Sequence, residues 1–151
     1  MRENIVRLEA LMPLIRERLA AGESVRFSPH GTSMLPMLKD GRDQVVLSPL
    51  PDKLKKYDLP LYQRKNGQYV LHRVVKVKDA YTCMGDNQTV AEPGLHHDQM
   101  IAVVTYFVRK GKEYSTEYFP YKVYCRVWCA LRPFRRLFLK IRQVLGGSKK
   151  G

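Results

Sequence analysis

The sequence predicts a mainly β domain with an N-terminal helix and a basic amphipathic helix at the C-terminal end. Short apolar runs separated by turn residues fill the middle of the chain, which is the pattern of a domain built from short strands. Apolar residues at helical spacing occupy both ends. A chain of 151 residues can bury one hydrophobic core but not two. We therefore expect a helix over residues 1–22, a central domain over 23–118 and a basic extension over 119–151.

The first predicted element is an amphipathic helix near residues 3–21. Its apolar residues recur at three- and four-residue spacing, and charged residues occupy positions between them. The apolar set is Ile5, Leu8, Met12, Ile15 and Leu19. A membrane-spanning helix needs about 20 mostly apolar residues. The charges in this segment exclude such a helix, and we expect neither a secretory signal nor a transmembrane helix in this sequence.

Strands are predicted over short apolar runs bounded by turn signals. They are expected near residues 24–28, 44–48, 59–63, 68–78, 80–84 and 100–109. Asn66-Gly67 is a hairpin signal, because both residues tolerate a positive φ. Residues 78–80 and 109–112 predict two more turns, and residues 113–118 are a candidate for one further strand.

The C-terminal segment, residues 123–145, predicts a basic amphipathic helix. Residues 118–151 hold nine Lys or Arg and no acid, a net charge of +9 within a chain total of +13. The apolar residues are Val127, Leu131, Phe134, Phe138, Ile141 and Leu145. The basic residues between them are Arg126, Arg132, Arg135, Arg136, Lys140 and Arg142. Trp128 and Tyr124 add rings typical of headgroup depth, and Pro133 should kink or divide the helix.

Two interpretations of this segment remain open. Its composition fits a helix that lies on an anionic membrane surface, with its apolar stripe in the lipid. The same pattern fits a helix that packs its stripe on the domain and leaves a solvated basic face. No nucleic-acid partner is expected, because no recognition motif accompanies the charge.

Three side chains in the central domain supply the groups that hydrolytic acyl transfer needs. Ser33 offers a hydroxyl nucleophile, His72 a base whose ordinary pKa lies near neutrality, and Asp86 a carboxylate to orient the imidazole. Gly31 permits an unusual backbone conformation just before the serine, where backbone N–H groups could form an oxyanion hole. Taken singly, the three also fit a turn serine, a core histidine and a hairpin aspartate.

The short motifs around these residues resemble those of the signal peptidase and LexA-like serine peptidases. The resemblance covers about residues 24–108, with the motifs in the family's order. They are Gly-Thr-Ser-Met-Leu-Pro (31–36), Leu-Lys-Asp-Gly-Arg-Asp (38–43), Lys-Tyr-Asp-Leu-Pro-Leu (56–61), Leu-His-Arg-Val (71–74), Gly-Asp-Asn (85–87) and Asp-Gln-Met-Ile-Ala-Val-Val (98–104). A histidine before arginine, where other members have lysine, resembles the archaeal and endoplasmic-reticulum branch. The resemblance implies a β-rich peptidase core.

This resemblance also implies a role for each matching residue. Ser33 would be the nucleophile, His72 the general base and Asp86 the third member of the triad. Backbone N–H groups of Thr32 and Ser33 would form the oxyanion hole. The residues expected to contact the substrate are Gly31, Met34 and Pro36. The family's preference for small residues at the first and third positions before the cut is implied as well.

The sequence departs from the family's pattern in three places. Gly31 stands where many signal peptidases have a hydroxyl residue, as in LexA-like proteins. Lys56-Tyr57-Asp58 stands where the family usually has Gly-Asp. The expected absence of a membrane-spanning anchor is the third departure. Lys65 and Lys76 are rival candidates for the base, since Lys76 would share a strand face with His72.

These features predict a serine endopeptidase that cleaves a peptide or protein, with a leader or signal-like peptide as one candidate substrate. The alternatives are a LexA-like module that cleaves itself or a partner, and a catalytically idle binding scaffold. We expect no metal or other cofactor. Three cysteines, Cys83, Cys125 and Cys129, form no simple disulfide framework, and free thiols suit the cytoplasm. The expected location is therefore cytoplasmic, with peripheral association at the inner face of the membrane.

Overall fold

The computed structural model describes residues 8–148, and its side-chain description leaves out residues 136, 138, 139, 142, 143 and 146–148. Helix α1 is Leu8–Ala20, within the predicted 3–21, and Ile5 lies outside the described residues. Its buried residues Met12, Ile15 and Leu19 follow the predicted helical spacing. They pack into the main hydrophobic core, so α1 covers one face of the β domain.

Nine strands form two antiparallel sheets in the described part of the chain. They are β1 (Val25–Phe27), β2 (Gln44–Pro49), β3 (Pro60–Gln63), β4 (Tyr69–Leu71), β5 (Arg73–Val77), β6 (Tyr81–Met84), β7 (Glu92–Leu95), β8 (Met100–Arg109) and β9 (Lys112–Ser115). The larger sheet has the order β1-β2-β8-β3-β4, with β9 paired to β8, and the smaller has the order β5-β6-β7. The predicted β-rich domain with a helix at each end is confirmed.

The predicted strand over residues 68–78 is two strands in two different sheets. Leu71 at the end of β4 pairs with Leu61 of β3, whereas Arg73 at the start of β5 pairs with Met84 of β6. His72 therefore lies at the junction between the sheets. It is buried there.

The turns largely follow the sequence signals. Gly67 adopts a φ of +90°, but Asn66 does not adopt a positive φ, and the β3–β4 connection is a longer loop than a two-residue turn. Lys110 and Gly111 both have positive φ between β8 and β9, as a tight hairpin requires. Tyr57 has a φ of +81°, a conformation that favours glycine and that few bulky residues adopt.

Strand β7 was not predicted, because its sequence Glu-Pro-Gly-Leu lacks strand-forming residues. It pairs with β6 through Tyr81↔Leu95 and Cys83↔Glu92. Tertiary pairing therefore overrides local propensity here. The strand matters for the site, because it carries Glu92 toward the sheet junction.

Two helices follow the sheets, α2 (Phe119–Ala130) and α3 (Arg132–Ser148), as the predicted division near Pro133 requires. The break falls at Leu131, the C-cap residue of α2, two residues before Pro133. Helix α2 buries Tyr121 and Cys125 against the domain. Within residues 8–148, the structure contains no helix whose length and apolar character would let it cross a bilayer.

Candidate active site

Ser33 and His72 line the same cavity, which has a volume of about 240 Å³. Ser33 is half-buried in the turn that follows β1, and His72 is buried at the junction between the two sheets. The remaining lining residues come from the turn, from β4 and its preceding loop, and from the loop after β6. They are Pro29, His30, Gly31, Met34, Leu38, Arg64, Gln68, Tyr69, Val70, Leu71 and Gln88.

The turn carrying Ser33 is held from both ends. Asp40 accepts hydrogen bonds from the backbone N–H of Gly31 (2.9 Å) and pairs with His30 Nδ1 (3.0 Å). The Gly31 hydrogen bond is the main cause that lowers the pKa of Asp40, with that to His30 next. Gly31 has a φ of +95°, which explains a glycine at this position. These contacts fix the chain just before the serine.

The Gly-Asp-Asn segment packs directly on the backbone of Ser33. The N–H of Asn87 donates to the carbonyl oxygen of Ser33 at 2.8 Å. A Cβ atom at Gly85 would lie 2.5 Å from the same oxygen, so only glycine allows this approach. The two motifs that the sequence places more than fifty residues apart are therefore in contact.

The turn that carries Ser33 contains two backbone N–H groups, of Thr32 and Ser33, that could serve as oxyanion donors. Among residues 8–148, no described acceptor takes the N–H of Thr32 or Ser33, and no described partner binds the Ser33 hydroxyl. Thr32 is an exposed residue, and Ser33 is half-buried. Two such donors side by side are what an oxyanion hole requires.

His72 is oriented by a chain of groups that the sequence did not suggest. Its Nδ1 lies 3.4 Å from the hydroxyl of Tyr62, and that hydroxyl donates to Glu92 Oε1 at 2.7 Å. Since the Tyr62 proton is directed at the carboxylate, the Tyr62 oxygen can only accept from His72. Nδ1 then carries the imidazole proton, and Nε2 keeps the lone pair that a general base needs.

Glu92 is fixed in turn by Arg64. The guanidinium Nε lies 3.2 and 3.0 Å from the two Glu92 oxygens, and Nη2 lies 3.1 Å from Oε1. Partial burial opposes ionisation of Glu92, but the hydrogen bonds from Arg64 and Tyr62 outweigh it and hold the pKa of Glu92 below its usual value. Glu92 is therefore a carboxylate at neutral pH and a steady acceptor for Tyr62.

Burial keeps His72 neutral. Desolvation is the main cause, followed by the positive charge of Arg64, and together they lower the pKa of His72 to about 4. The charges of Glu92 and Asp86 act in the opposite direction. A neutral imidazole can accept a proton throughout the physiological range, although a low pKa makes it a weaker base.

Asp86 binds Arg73 rather than His72. The buried carboxylate accepts a bidentate pair from Arg73 Nε (2.9 Å) and Nη2 (3.0 Å) and a further hydrogen bond from Tyr124 (2.8 Å). No hydrogen bond described within residues 8–148 joins it to His72. This differs from the expected orienting contact, because the planar guanidinium matches both carboxylate oxygens at once. Whether Asp86 also acts in catalysis stays a prediction.

The C-terminal helices reach the same aspartate from outside the sheets. Trp128 Nε1 donates to the Asp86 carbonyl oxygen at 2.7 Å, and Arg135 donates to the same oxygen. Arg135 also lies over the Trp128 ring, 4.6 Å from its centroid. Tyr124 and Trp128 therefore contact the domain through their polar atoms, and their position relative to a lipid headgroup layer stays a prediction.

A second cavity, of about 600 Å³, meets the first at His72. It is lined by residues of the loop that follows β6 and by the start of β7. Arg64, His72 and Gln88 belong to both cavities. The two together form a groove that runs past the imidazole. Strand β4, the edge of the larger sheet, borders this groove, so its free edge can pair with an extended peptide.

Two of the three residues predicted to contact the substrate line the Ser33 cavity, and the third does not. Gly31 and Met34 line the Ser33 cavity, and Pro36 is exposed outside it. The rival bases Lys65 and Lys76 are both exposed and do not line that cavity. A bulge in β5 near Lys76 breaks the strand alternation that would place it on the face of His72.

The structure gives no grouping of metal ligands in residues 8–148: no three or more His, Cys, Asp or Glu side chains cluster there. Cys83, Cys125 and Cys129 are free thiols. Burial raises the pKa of Cys83 to about 12, which makes it unreactive at neutral pH. The Nδ1 atom of His97 is in hydrogen-bond contact with the hydroxyl of Tyr81, at 3.0 Å.

Comparison with protein-family models, with curated proteins and with solved structures finds no match to this chain.

Proposed function

We propose that this chain is a serine endopeptidase that uses Ser33 as nucleophile and His72 as general base. The observation that carries the proposal is the cavity that Ser33 and His72 line together: in residues 8–148 the Ser33 hydroxyl has no described partner, and the His72 imidazole is neutral at physiological pH. The hydrogen-bond chain from Glu92 leaves the His72 Nε2 lone pair free, and the N–H groups of Thr32 and Ser33, which have no acceptor within residues 8–148, would supply oxyanion donors.

The reaction follows from these positions. His72 Nε2 takes the proton from Ser33 Oγ as that oxygen bonds to the scissile carbonyl carbon. The N–H groups of Thr32 and Ser33 donate to the oxyanion. Collapse of the tetrahedral intermediate breaks the C–N bond, and the imidazolium passes its proton to the leaving amine. Water, deprotonated by His72, then hydrolyses the acyl-enzyme and regenerates Ser33.

Glu92 takes the orienting position that the sequence assigned to Asp86. It acts through Tyr62, which holds the Nδ1–H of His72, and its charge stabilises the imidazolium that forms in the transition state. Asp86 instead fixes the Gly-Asp-Asn segment against the Ser33 backbone through its pair with Arg73. We propose that Glu92 and Asp86 are both positioning residues.

The substrate would bind extended along the free edge of β4, with the scissile bond at His72. The groove on both sides of the imidazole provides room for residues before and after the cut. Resemblance to the signal peptidase and LexA-like peptidases supports this arrangement. Tyr57 supports it as well, because it adopts a glycine-like φ where that family usually has glycine. A preference for small residues before the cut is part of the proposal.

The pH dependence of cleavage tests the assignment of the base. On a degenerate peptide library followed by mass spectrometry, the rate should stay level from about pH 8 to about pH 5 and fall on the acid side near pH 4. An unperturbed histidine would give the fall near pH 6.5. Because Arg64 lowers the pKa of His72, Arg64→Gln should move the acid limb to higher pH.

The matched control is Lys65→Gln, since Lys65 is exposed and lies outside the cavity. It should leave the acid limb where the wild-type protein has it. If the acid limb lies near pH 6.5 and has the same position in the wild-type protein and in Arg64→Gln, the base is a group other than His72. No cleavage at any pH, by protein that circular dichroism shows to be folded, would contradict the peptidase proposal.

A further inference from the structure

The apolar stripe of helix α3 is uncovered. Phe134 is 66% exposed, Leu137 57% and Val144 73%, and Ile141 is exposed as well. These four positions repeat at spacings of three and four residues, so they share one side of the helix. Contiguous exposed apolar side chains of this size mark an interaction surface, because soluble proteins seldom leave them in water.

The stripe is not the surface that joins the C-terminal helices to the domain. That connection is made by Tyr121 and Cys125 of α2, which are buried, and by the bonds of Trp128 and Arg135 to the Asp86 carbonyl. Arg135 stands about a quarter-turn away from Phe134 around α3. The beginning of α3 is thus anchored, while its apolar stripe faces outward.

The basic residues around the apolar stripe indicate which kind of partner would cover it. Residues 118–151 carry nine Lys or Arg and no acid, so every charged side chain of α3 is positive. Exposed Lys140 and half-buried Arg132 lie on the side of the helix away from Phe134. An apolar stripe within a basic surface complements a lipid headgroup layer, with acyl chains below and anionic phosphates around the rim.

We propose that helix α3 docks on an anionic lipid surface through the stripe formed by Phe134, Leu137, Ile141 and Val144. This inference does not depend on the peptidase proposal. The helix lies in the plane of the headgroups, with its basic side toward the aqueous phase and the lipid phosphates. Each Lys or Arg near an anionic surface is expected to multiply the partition coefficient by about five.

Sedimentation of the full-length protein with vesicles tests the proposal. The protein should pellet with vesicles of mixed phosphatidylserine and phosphatidylcholine, remain in solution with pure phosphatidylcholine, and dissociate as salt is raised. The double variant Leu137→Glu/Val144→Glu should lower the partition coefficient by at least about tenfold, since two charges would enter the acyl boundary. Both positions are exposed, so folding should be unchanged.

The matched control is Val77→Glu, which places a charge on an exposed apolar residue of β5. The partition coefficient of this variant onto anionic vesicles should decrease only slightly, because the variant adds one negative charge. Wild-type protein that stays in solution with anionic vesicles overturns the proposal, as does a double variant that binds like the control. A nucleic acid probe that displaces the vesicles and binds the double variant equally well would identify a different partner and overturn it too.

Discussion

Ser33→Ala is expected to reduce peptide cleavage by roughly 10⁴-fold or more, because loss of the nucleophile removes the covalent route entirely. The fold should be unaffected. Ser33 is half-buried and its hydroxyl has no described partner, so its removal should change the free energy of unfolding by no more than about 0.5 kcal/mol. Cleavage of a peptide library and urea unfolding measure the two effects separately.

Ser28→Ala is the control for this variant. Ser28 lies close in the sequence, its hydroxyl accepts a hydrogen bond from Gln44, and it does not line the Ser33 cavity. It should retain wild-type cleavage. A Ser33→Ala protein that cleaves as fast as the Ser28→Ala protein would show that the hydroxyl of Ser33 is not the nucleophile.

Arg73→Met is expected to destabilise the protein by about 3–5 kcal/mol, because it leaves the Asp86 carboxylate buried without its cation. Arg73 is fully buried and also donates to the Tyr57 carbonyl oxygen (2.9 Å) and the Tyr121 hydroxyl (2.8 Å). Its loss therefore weakens the link between the sheets and α2. Urea unfolding followed by circular dichroism measures the change.

Two further variants isolate the buried pair. Arg73→Met/Asp86→Leu removes both charges and should recover much of the lost stability, since an apolar replacement of a buried pair is often neutral. Arg26→Met removes an exposed arginine whose pair with Glu113 is 3.7 Å long, and should cost under about 1 kcal/mol. If Arg73→Met costs no more than Arg26→Met, the buried pair does not contribute as described.

The fold could be predicted from the sequence where local patterns and packing agree. The spacing of Met12, Ile15 and Leu19 predicted the buried side of α1, and most strands lie where alternation and turns placed them. The break at His72 could not be predicted, since residues 68–78 form one continuous strand-like run. Only pairing with β3 on one side and β6 on the other divides it.

The candidate site, too, could be predicted from the sequence only in part. Short motifs located Ser33, His72 and the Gly-Asp-Asn segment, because each requires a particular local backbone. The partners of those residues depend on tertiary structure. Arg73, adjacent to His72 in its motif, binds Asp86, while Glu92, on a strand with no local sequence signal, is linked to the imidazole through the Tyr62 hydroxyl. A local sequence pattern does not predict which of these side chains come within hydrogen-bond distance of each other.

We expect Ser33 to be an activated nucleophile, and intact-mass spectrometry after treatment with a serine-directed fluorophosphonate decides whether it is. A single adduct should form and map to Ser33, and it should be absent from Ser33→Ala and strongly reduced in His72→Ala. A folded wild-type protein that takes up no adduct, or an adduct that persists in Ser33→Ala, would contradict it.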